Sequence, residues 1–119
     1  MDCLFCKLKN NKDAYLYEND SFYCIPDKYP ASTGHCLVIL KTHKVSFFEL
    51  TDREAAHAKD ALEKTKKILD PKHHPDAYNI AVNEGEAAGR TIHHVHFHLI
   101  PRYQGKGPKG GIEAILKGH

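Results

Sequence analysis

The first half of the chain alternates between apolar runs and short polar breaks in a way that predicts a sheet. Residues 15–18 and 21–25 are two β-rich runs joined by the polar pair Asn19 and Asp20, which is the pattern of a hairpin. After Pro26 and a turn-rich stretch, residues 35–40 form a mostly apolar run of strand length that suits the middle of a sheet. Three strands are therefore expected here.

A long helix is predicted to follow these strands. Thr51 and Glu54 have the spacing of a capping box, in which each side chain accepts from the other residue's backbone N–H. Pro71 ends the periodic pattern after Asp70. A stripe of low polarity recurs at three- and four-residue intervals between these limits, at Ala55, Ala58, Leu62, Thr65 and Leu69. We expect this stripe to pack on the sheet, with a shorter helix near residues 46–50.

The second half of the chain completes the predicted sheet. Residues 78–82 form a fourth strand, residues 83–91 a polar loop, and residues 92–100 a fifth strand. The expected fold class is α+β, with a five-stranded antiparallel sheet, one long helix and one short helix. Residues 1–119 are expected to form a single domain, in which residues 102–119 are a C-terminal arm.

Composition narrows the classes of function. Of 119 residues, 41% are hydrophobic and 27% charged, which is ordinary for a globular protein, and no apolar run approaches the roughly 20 residues that cross a bilayer. The N-terminus does not have the pattern of a signal peptide, so we expect a cytoplasmic protein without a membrane partner. A formal charge of +2 is too small to indicate a nucleic-acid partner.

Histidine is unusually frequent, with ten residues in this short chain, and is the most informative feature of the composition. On a strand, His94, His96 and His98 would project to one face of the sheet and the apolar residues between them to the other. A neutral imidazole can attack phosphorus without first losing a proton, and the P–N bond that it forms is labile to water. Neighbouring imidazoles can fix the tautomer of the attacking ring and donate hydrogen bonds to phosphate oxygens.

The four cysteines indicate thiols rather than disulfides in a reducing compartment. Cys24 and Cys36 lie in apolar runs and are expected in the core. Cys3 and Cys6 have C-x-x-C spacing, but two thiols alone are a weak zinc signal because a tetrahedron needs two further ligands. His43 and His94 could provide them.

The segment from His94 to Ile100, HVHFHLI, resembles the signature of the histidine-triad family, in which three histidines alternate with apolar residues. The likeness extends to residues 83–89, to residues 30–43 and to the CLFC stretch that begins at Cys3. It implies a nucleotidyl hydrolase or transferase in which His96 attacks the α-phosphorus and His98 contacts the phosphate. The resemblance also implies that His94 belongs to the catalytic site and that His35 lies near the leaving group.

The same resemblance implies the substrate contacts and the partners. Asn83, Gly89 and Thr91 would contact phosphate, Asp27 would accept hydrogen bonds from the ribose hydroxyls, and Phe5 and Ile25 would form apolar walls around a purine base. Some similar bacterial proteins bind zinc through residues that match Cys3, Cys6, His43 and His94, a closed set that would be structural, so no catalytic metal is expected. A homodimer with a continuous ten-stranded sheet is expected as well.

The expected substrate is a purine nucleoside phosphoramidate or a dinucleoside polyphosphate, with release of a nucleoside monophosphate. Arg90 stands where glutamine is common in the family, and it either favours substrates with more than one phosphate or faces solvent. Two other functions remain open. One is a metallohydrolase that uses His94, His96 and His98 as metal ligands, and the other is a nucleotide-binding module without turnover.

Overall fold

The computed structural model describes residues 3–106, whose five strands form one antiparallel sheet. Its order is β1-β2-β3-β5-β4, so β4 is an edge strand. The elements are α1 (Leu4–Leu8), β1 (Tyr17–Glu18), β2 (Phe22–Pro26), β3 (Cys36–Leu40), α2 (Asp52–His73), β4 (Ala77–Ala81) and β5 (His96–Arg102). The predicted α+β class is confirmed. The predicted short helix is a single 3-10 turn, Phe47–Glu49, which Ser46 caps.

One face of the sheet packs against α2. Val38 lies between Cys24 on β2 and Phe97 on β5, and all three side chains are buried with Ala58 and Ala61 of the helix. Methyl side chains at these helix positions allow α2 to approach the sheet closely. As the sequence predicts, Thr51 caps this helix and Glu54 reaches back to the Thr51 N–H.

The opposite face carries the imidazoles. His96 lies opposite Ile39 and His98 opposite Leu37, and both apolar partners are buried on the side of the sheet that α1 covers through Phe5. Helix α1 is not predicted from the sequence. Its five residues are too few to show a helical period.

The largest boundary errors are at the start of β5 and the end of α2, while β1 begins two residues later than predicted, at Tyr17, and β5 ends two residues later, at Arg102. The fifth strand begins at His96, not at residue 92, because the preceding chain turns: the His94 N–H bonds to the Ile92 carbonyl at 3.0 Å and the Val95 N–H to the Lys44 carbonyl at 2.8 Å. His94 is therefore off the strand. Helix α2 continues through Pro71 to His73 and ends on His74, whose φ is 52°. A proline so close to the C-terminus removes only one hydrogen bond of the last turn.

The predicted C-terminal arm lies mostly outside the described residues, which stop at Lys106. Among residues 3–106, no helix has the length and apolar character needed to span a bilayer.

Candidate functional site

The orientation of the His96 ring is set by a backbone group. Its Nδ1 lies 2.7 Å from the His94 carbonyl oxygen, and because a carbonyl only accepts, Nδ1 carries the proton. The lone pair of the neutral ring is therefore on Nε2. The edge of the Phe5 ring packs against His96 with centroids 4.8 Å apart, and both side chains are buried. A buried imidazole in this tautomer has the form that a nucleophile needs.

A second chain of contacts joins His35 to His98. The Ala31 N–H donates to His35 Nδ1 at 2.9 Å, so the neutral His35 ring carries its proton on Nε2. That nitrogen is 3.0 Å from His98 Nδ1 and 3.3 Å from Asp27 Oδ2. When His35 donates to His98, the His98 proton lies on Nε2. Backbone geometry thus places a proton donor on the same sheet face as the His96 lone pair.

The loop that follows β4 carries the predicted phosphate contacts. Asn83 is buried and Thr91 is exposed, while Gly89 has a φ of 101° that requires glycine. The Gly89 N–H bonds to the Glu86 carbonyl at 2.9 Å, so the glycine shapes the loop rather than offering its own N–H to an anion. The Arg90 guanidinium donates to the Val45 carbonyl at 2.8 Å.

The predicted base and ribose residues line one cavity. It has a volume of about 600 Å³ and is lined by Phe5, Ile25 and Asp27, together with apolar side chains that are not predicted from the sequence. These are Leu4, Leu8, Leu37 and Ile92, with Tyr29 at the mouth. A cavity of this size, with mainly apolar walls and with Asp27 and Lys28 as its charged residues, suits a nucleoside. Because α1 was not predicted, Leu4 and Leu8 gave no usable signal.

Four predicted metal ligands meet beside α1. The donor atoms of Cys3, Cys6, His43 and His94 all lie within 4.8 Å of one another. Cys3 Sγ is 3.3 Å from His94 Nδ1, Cys6 Sγ is 3.3 Å from His43 Nδ1, and the two imidazole Nδ1 atoms are 3.2 Å apart. Zinc bonds of about 2.3 Å to sulfur and about 2.0 Å to nitrogen give tetrahedron edges of roughly 3.3–3.8 Å. The donor set therefore fits zinc.

A hydrogen bond at Nε2 orients the His94 ring for metal binding through Nδ1. His94 Nε2 lies 2.6 Å from the Leu40 carbonyl, so it carries the proton, and the Nδ1 lone pair points into the four-residue cluster. Burial lowers the pKa of His94, with a smaller contribution from His43, which keeps the ring neutral. Burial also raises the pKa of Cys6, aided by a hydrogen bond with Cys3, so metal binding there would release a proton.

The three histidines of the motif do not converge on one point. His94 belongs to the cysteine cluster, His98 lies with Asp27 and His35, and His96 belongs to neither group. Among residues 3–106, neither group of side chains that could bind a metal ion contains His94, His96 and His98 together. The metallohydrolase alternative therefore has no geometric support among these residues.

Known proteins resemble this chain in sequence and in fold. The HIT domain family model matches residues 8–105. An uncharacterized HIT-like protein of Methanocaldococcus jannaschii is 39% identical over 107 residues, which cover 88% of this chain and 82% of the relative. An adenosine 5'-monophosphoramidase of Schizosaccharomyces pombe is 35% identical over 104 residues, covering 86% and 75%. The crystal structure of a zinc-bound histidine triad family protein from Mycobacterium smegmatis superposes with a TM-score of 0.79 at 30% identity, covering 98% of this chain and 90% of that one. The family model and these relatives show that the chain belongs to the HIT family.

Proposed function

We propose that this protein is a nucleotide hydrolase that cleaves a purine nucleoside phosphoramidate, or a dinucleoside polyphosphate, at the α-phosphate and releases a nucleoside monophosphate. The observation that carries the proposal is the tautomer of His96, which leaves a buried Nε2 lone pair on the sheet face that α1 covers. Relatives named as adenosine 5'-monophosphoramidases support the phosphoramidate as the first substrate class to test.

In the first step, the His96 Nε2 lone pair forms a bond to the α-phosphorus. The bond from phosphorus to the leaving nitrogen breaks, its electron pair stays on that nitrogen, and the nitrogen takes up one proton from solvent. The imidazolium that forms keeps its Nδ1 proton on the His94 carbonyl, 2.7 Å away. His98, with its proton on Nε2, donates to a phosphate oxygen and stabilises the charge that develops there.

In the second step, water attacks the nucleotidyl-histidine on phosphorus. The P–N bond to His96 breaks, its electron pair returns to Nε2, and the water gives up two protons. One replaces the proton taken in the first step, and the other ends on the released amine. Asp27, which lines the nucleoside cavity, holds the ribose. The loop residues Asn83 and Thr91 hold the phosphate.

We also propose that Cys3, Cys6, His43 and His94 hold a structural zinc ion. The ion would supply a crosslink between the N-terminal segment, the residue-43 loop and the turn before β5. A closed set of four protein ligands leaves no position for substrate, so the zinc takes no part in the reaction. In this scheme no catalytic metal is required.

The decisive experiment replaces the nucleophile. His96→Asn should lower kcat for adenosine 5'-phosphoramidate by four decades or more and leave the affinity for AMP largely intact, because the cavity walls remain. His74→Asn is the matched control: it makes the same substitution at an exposed helix cap, in a left-handed conformation that asparagine tolerates, and should keep the wild-type rate.

Rapid-quench mass spectrometry of the wild type adds an independent readout. An acid-labile nucleotidyl adduct should map to His96, and an adduct on another residue, or near-normal rates in His96→Asn, would overturn the assignment. Tight AMP binding without turnover of any substrate would favour the non-catalytic binding module instead.

A further inference from the structure

Asn83 and Thr91, whose side chains are predicted to contact phosphate, lie at the two ends of one loop. A Cβ atom placed on Gly89 would lie 3.7 Å from the Asn83 amide nitrogen, so the ends of the loop are close together. None of residues 84–91 is buried. Packing of apolar side chains therefore does not hold this loop in place, and its position depends on polar contacts.

The Glu84 side chain connects the first end of the loop to residues 45–47. Its carboxylate accepts a hydrogen bond from the Phe47 N–H at 2.8 Å. This bond, a hydrogen bond with Ser46 and the nearby charge of Arg90 lower the pKa of Glu84, in that order of size. The carboxylate is therefore charged at neutral pH, which strengthens its bond to the backbone.

The Arg90 side chain connects the second end of the loop to the same residues. Its guanidinium donates to the Val45 carbonyl at 2.8 Å, and its backbone N–H bonds to the Gly85 carbonyl at 3.3 Å across the loop. The positive charge of Arg90 acts on Glu84, a residue of its own loop. Each end of the loop is thus bound by one side chain to the same short segment.

Residues 45–47 are in turn fixed to the rest of the protein. Directly before them, the Lys44 carbonyl accepts a hydrogen bond from the Val95 N–H at 2.8 Å. The Phe47 ring packs against Phe97 with ring centroids 5.9 Å apart, at the margin of the core between the sheet and α2. The segment can therefore serve as a fixed support for the loop.

We propose that Glu84 and Arg90 are positioning residues that hold Asn83 and Thr91 where the substrate phosphate needs them. Glu84 directly follows Asn83 and Arg90 directly precedes Thr91, so loss of either contact displaces a phosphate-binding side chain. Neither Glu84 nor Arg90 touches the phosphate itself. The inference rests on the proposed function, because it concerns the phosphate contacts of the same site. It gives Arg90 a third role, beside the two that the sequence leaves open.

Isothermal titration calorimetry with AMP and with adenosine tests this role. Both ligands fill the nucleoside cavity, and only AMP has a phosphate for the loop to bind. Glu84→Ala and Arg90→Ala should each weaken AMP binding about tenfold and leave the affinity for adenosine unchanged. Both substitutions release the same loop, so the double variant should lose far less than the roughly hundredfold expected of two independent residues.

Two further variants separate positioning from a general effect of charge. Glu84→Gln keeps a side-chain oxygen that can accept from the Phe47 N–H, so it should restore most of the AMP affinity that Glu84→Ala loses. Glu86→Ala is the matched control, because it removes an exposed carboxylate of the same loop that lies 3.6 Å from the exposed His93 ring. The Glu86 carbonyl that bonds to Gly89 stays, and AMP affinity should not change.

Two results would overturn the positioning role. One is an equal loss of adenosine affinity, which would show a general disturbance of the structure. The other is unchanged AMP affinity in Arg90→Ala with a lower kcat/KM for diadenosine triphosphate relative to adenosine 5'-phosphoramidate, because Arg90 would then bind a second phosphate. The proposed function fails separately: wild-type protein that turns over no substrate, while the variants change AMP affinity as expected, would support the positioning role and contradict the hydrolase.

Discussion

Cys24 and Cys36 are buried between the sheet and α2, and burial raises the pKa of the Cys24 thiol to about 11 and that of Cys36 to about 12. Cys3 and Cys6 are only half-buried and face imidazole nitrogens. The thiolate is the reactive form of cysteine, so its population decides how fast each residue is alkylated. The four cysteines should therefore differ in reactivity according to their place in the fold.

Iodoacetamide labelling at pH 8 tests this difference. In protein stripped of metal by a chelator, Cys3 and Cys6 should react first, while Cys24 and Cys36, with pKa values about 2 or more above that of an ordinary thiol, should react on the order of a hundredfold more slowly than free cysteine. Added zinc should protect Cys3 and Cys6. Peptide mapping gives the rate for each residue, and rapid labelling of Cys24 in folded protein would contradict the burial described here.

At the scale of the element, the β1–β2 turn is fastened to α2 by Asp60. The Asp60 carboxylate accepts hydrogen bonds from Tyr17 at 2.6 Å, from Asn19 at 2.9 Å and from Lys64 at 2.6 Å. The Lys64 bond makes the largest contribution, and together the three hold the pKa of Asp60 well below its usual value near 3.8. The charged form is therefore favoured in the folded protein.

The low pKa of Asp60 in the folded protein determines how its contribution to stability changes with pH. The carboxylate contributes stability above the unfolded-state pKa, near 4, and this contribution is lost as pH falls toward the folded-state value. In urea denaturation, Asp60→Asn should therefore be less stable than wild type at pH 7, and the difference should shrink as pH falls from about 4 to 2. Asp20→Asn, which breaks an exposed pair with Arg53, should change stability little. A difference for Asp60→Asn that does not vary with pH would contradict this account.

Individual elements show how far the sequence predicts the fold. The capping box at Thr51 and the strands around residues 22–26 and 36–40 follow from local patterns, because each pattern acts within a few residues. The start of β5 depends instead on a contact between distant segments, the bond from the Val95 N–H to the Lys44 carbonyl. The ligand set of Cys3, Cys6, His43 and His94 came from the family resemblance. Their spacing alone does not give it, since the members lie up to 91 positions apart.

At the scale of the molecule, β4 leaves one edge of the sheet open beside α2. Ile80 on β4 is 60% exposed and Ile68 on α2 is 38% exposed. Ile80 lies opposite Leu99, whose side chain packs on the α2 side of the sheet. The free backbone groups of an edge strand next to exposed apolar side chains favour pairing with another chain. We expect a second copy to pair here and extend the sheet to ten strands.

Sedimentation equilibrium at micromolar concentration should return about twice the chain mass of 13.5 kDa. Ile80→Asp should shift the equilibrium toward the monomer, because a carboxylate would be buried at the contact without a partner. Ile80→Val keeps the apolar surface and should remain dimeric. A wild-type mass of a single chain under these conditions would refute the expected pairing.

Main-chain atoms mainly determine which ring nitrogen of each histidine in the site carries the proton. The carbonyls of Leu40 and His94 fix the rings of His94 and His96, and the N–H of Ala31 fixes His35. Substitution cannot remove a carbonyl, and only proline removes an N–H. A descendant of this chain that exchanged Phe5, or lost both cysteines, would therefore still inherit the same tautomers for as long as it kept the path of the backbone. In evolution, the tautomers of these imidazoles are therefore conserved as long as the fold is conserved. The surrounding side chains can change, and with them the substrate.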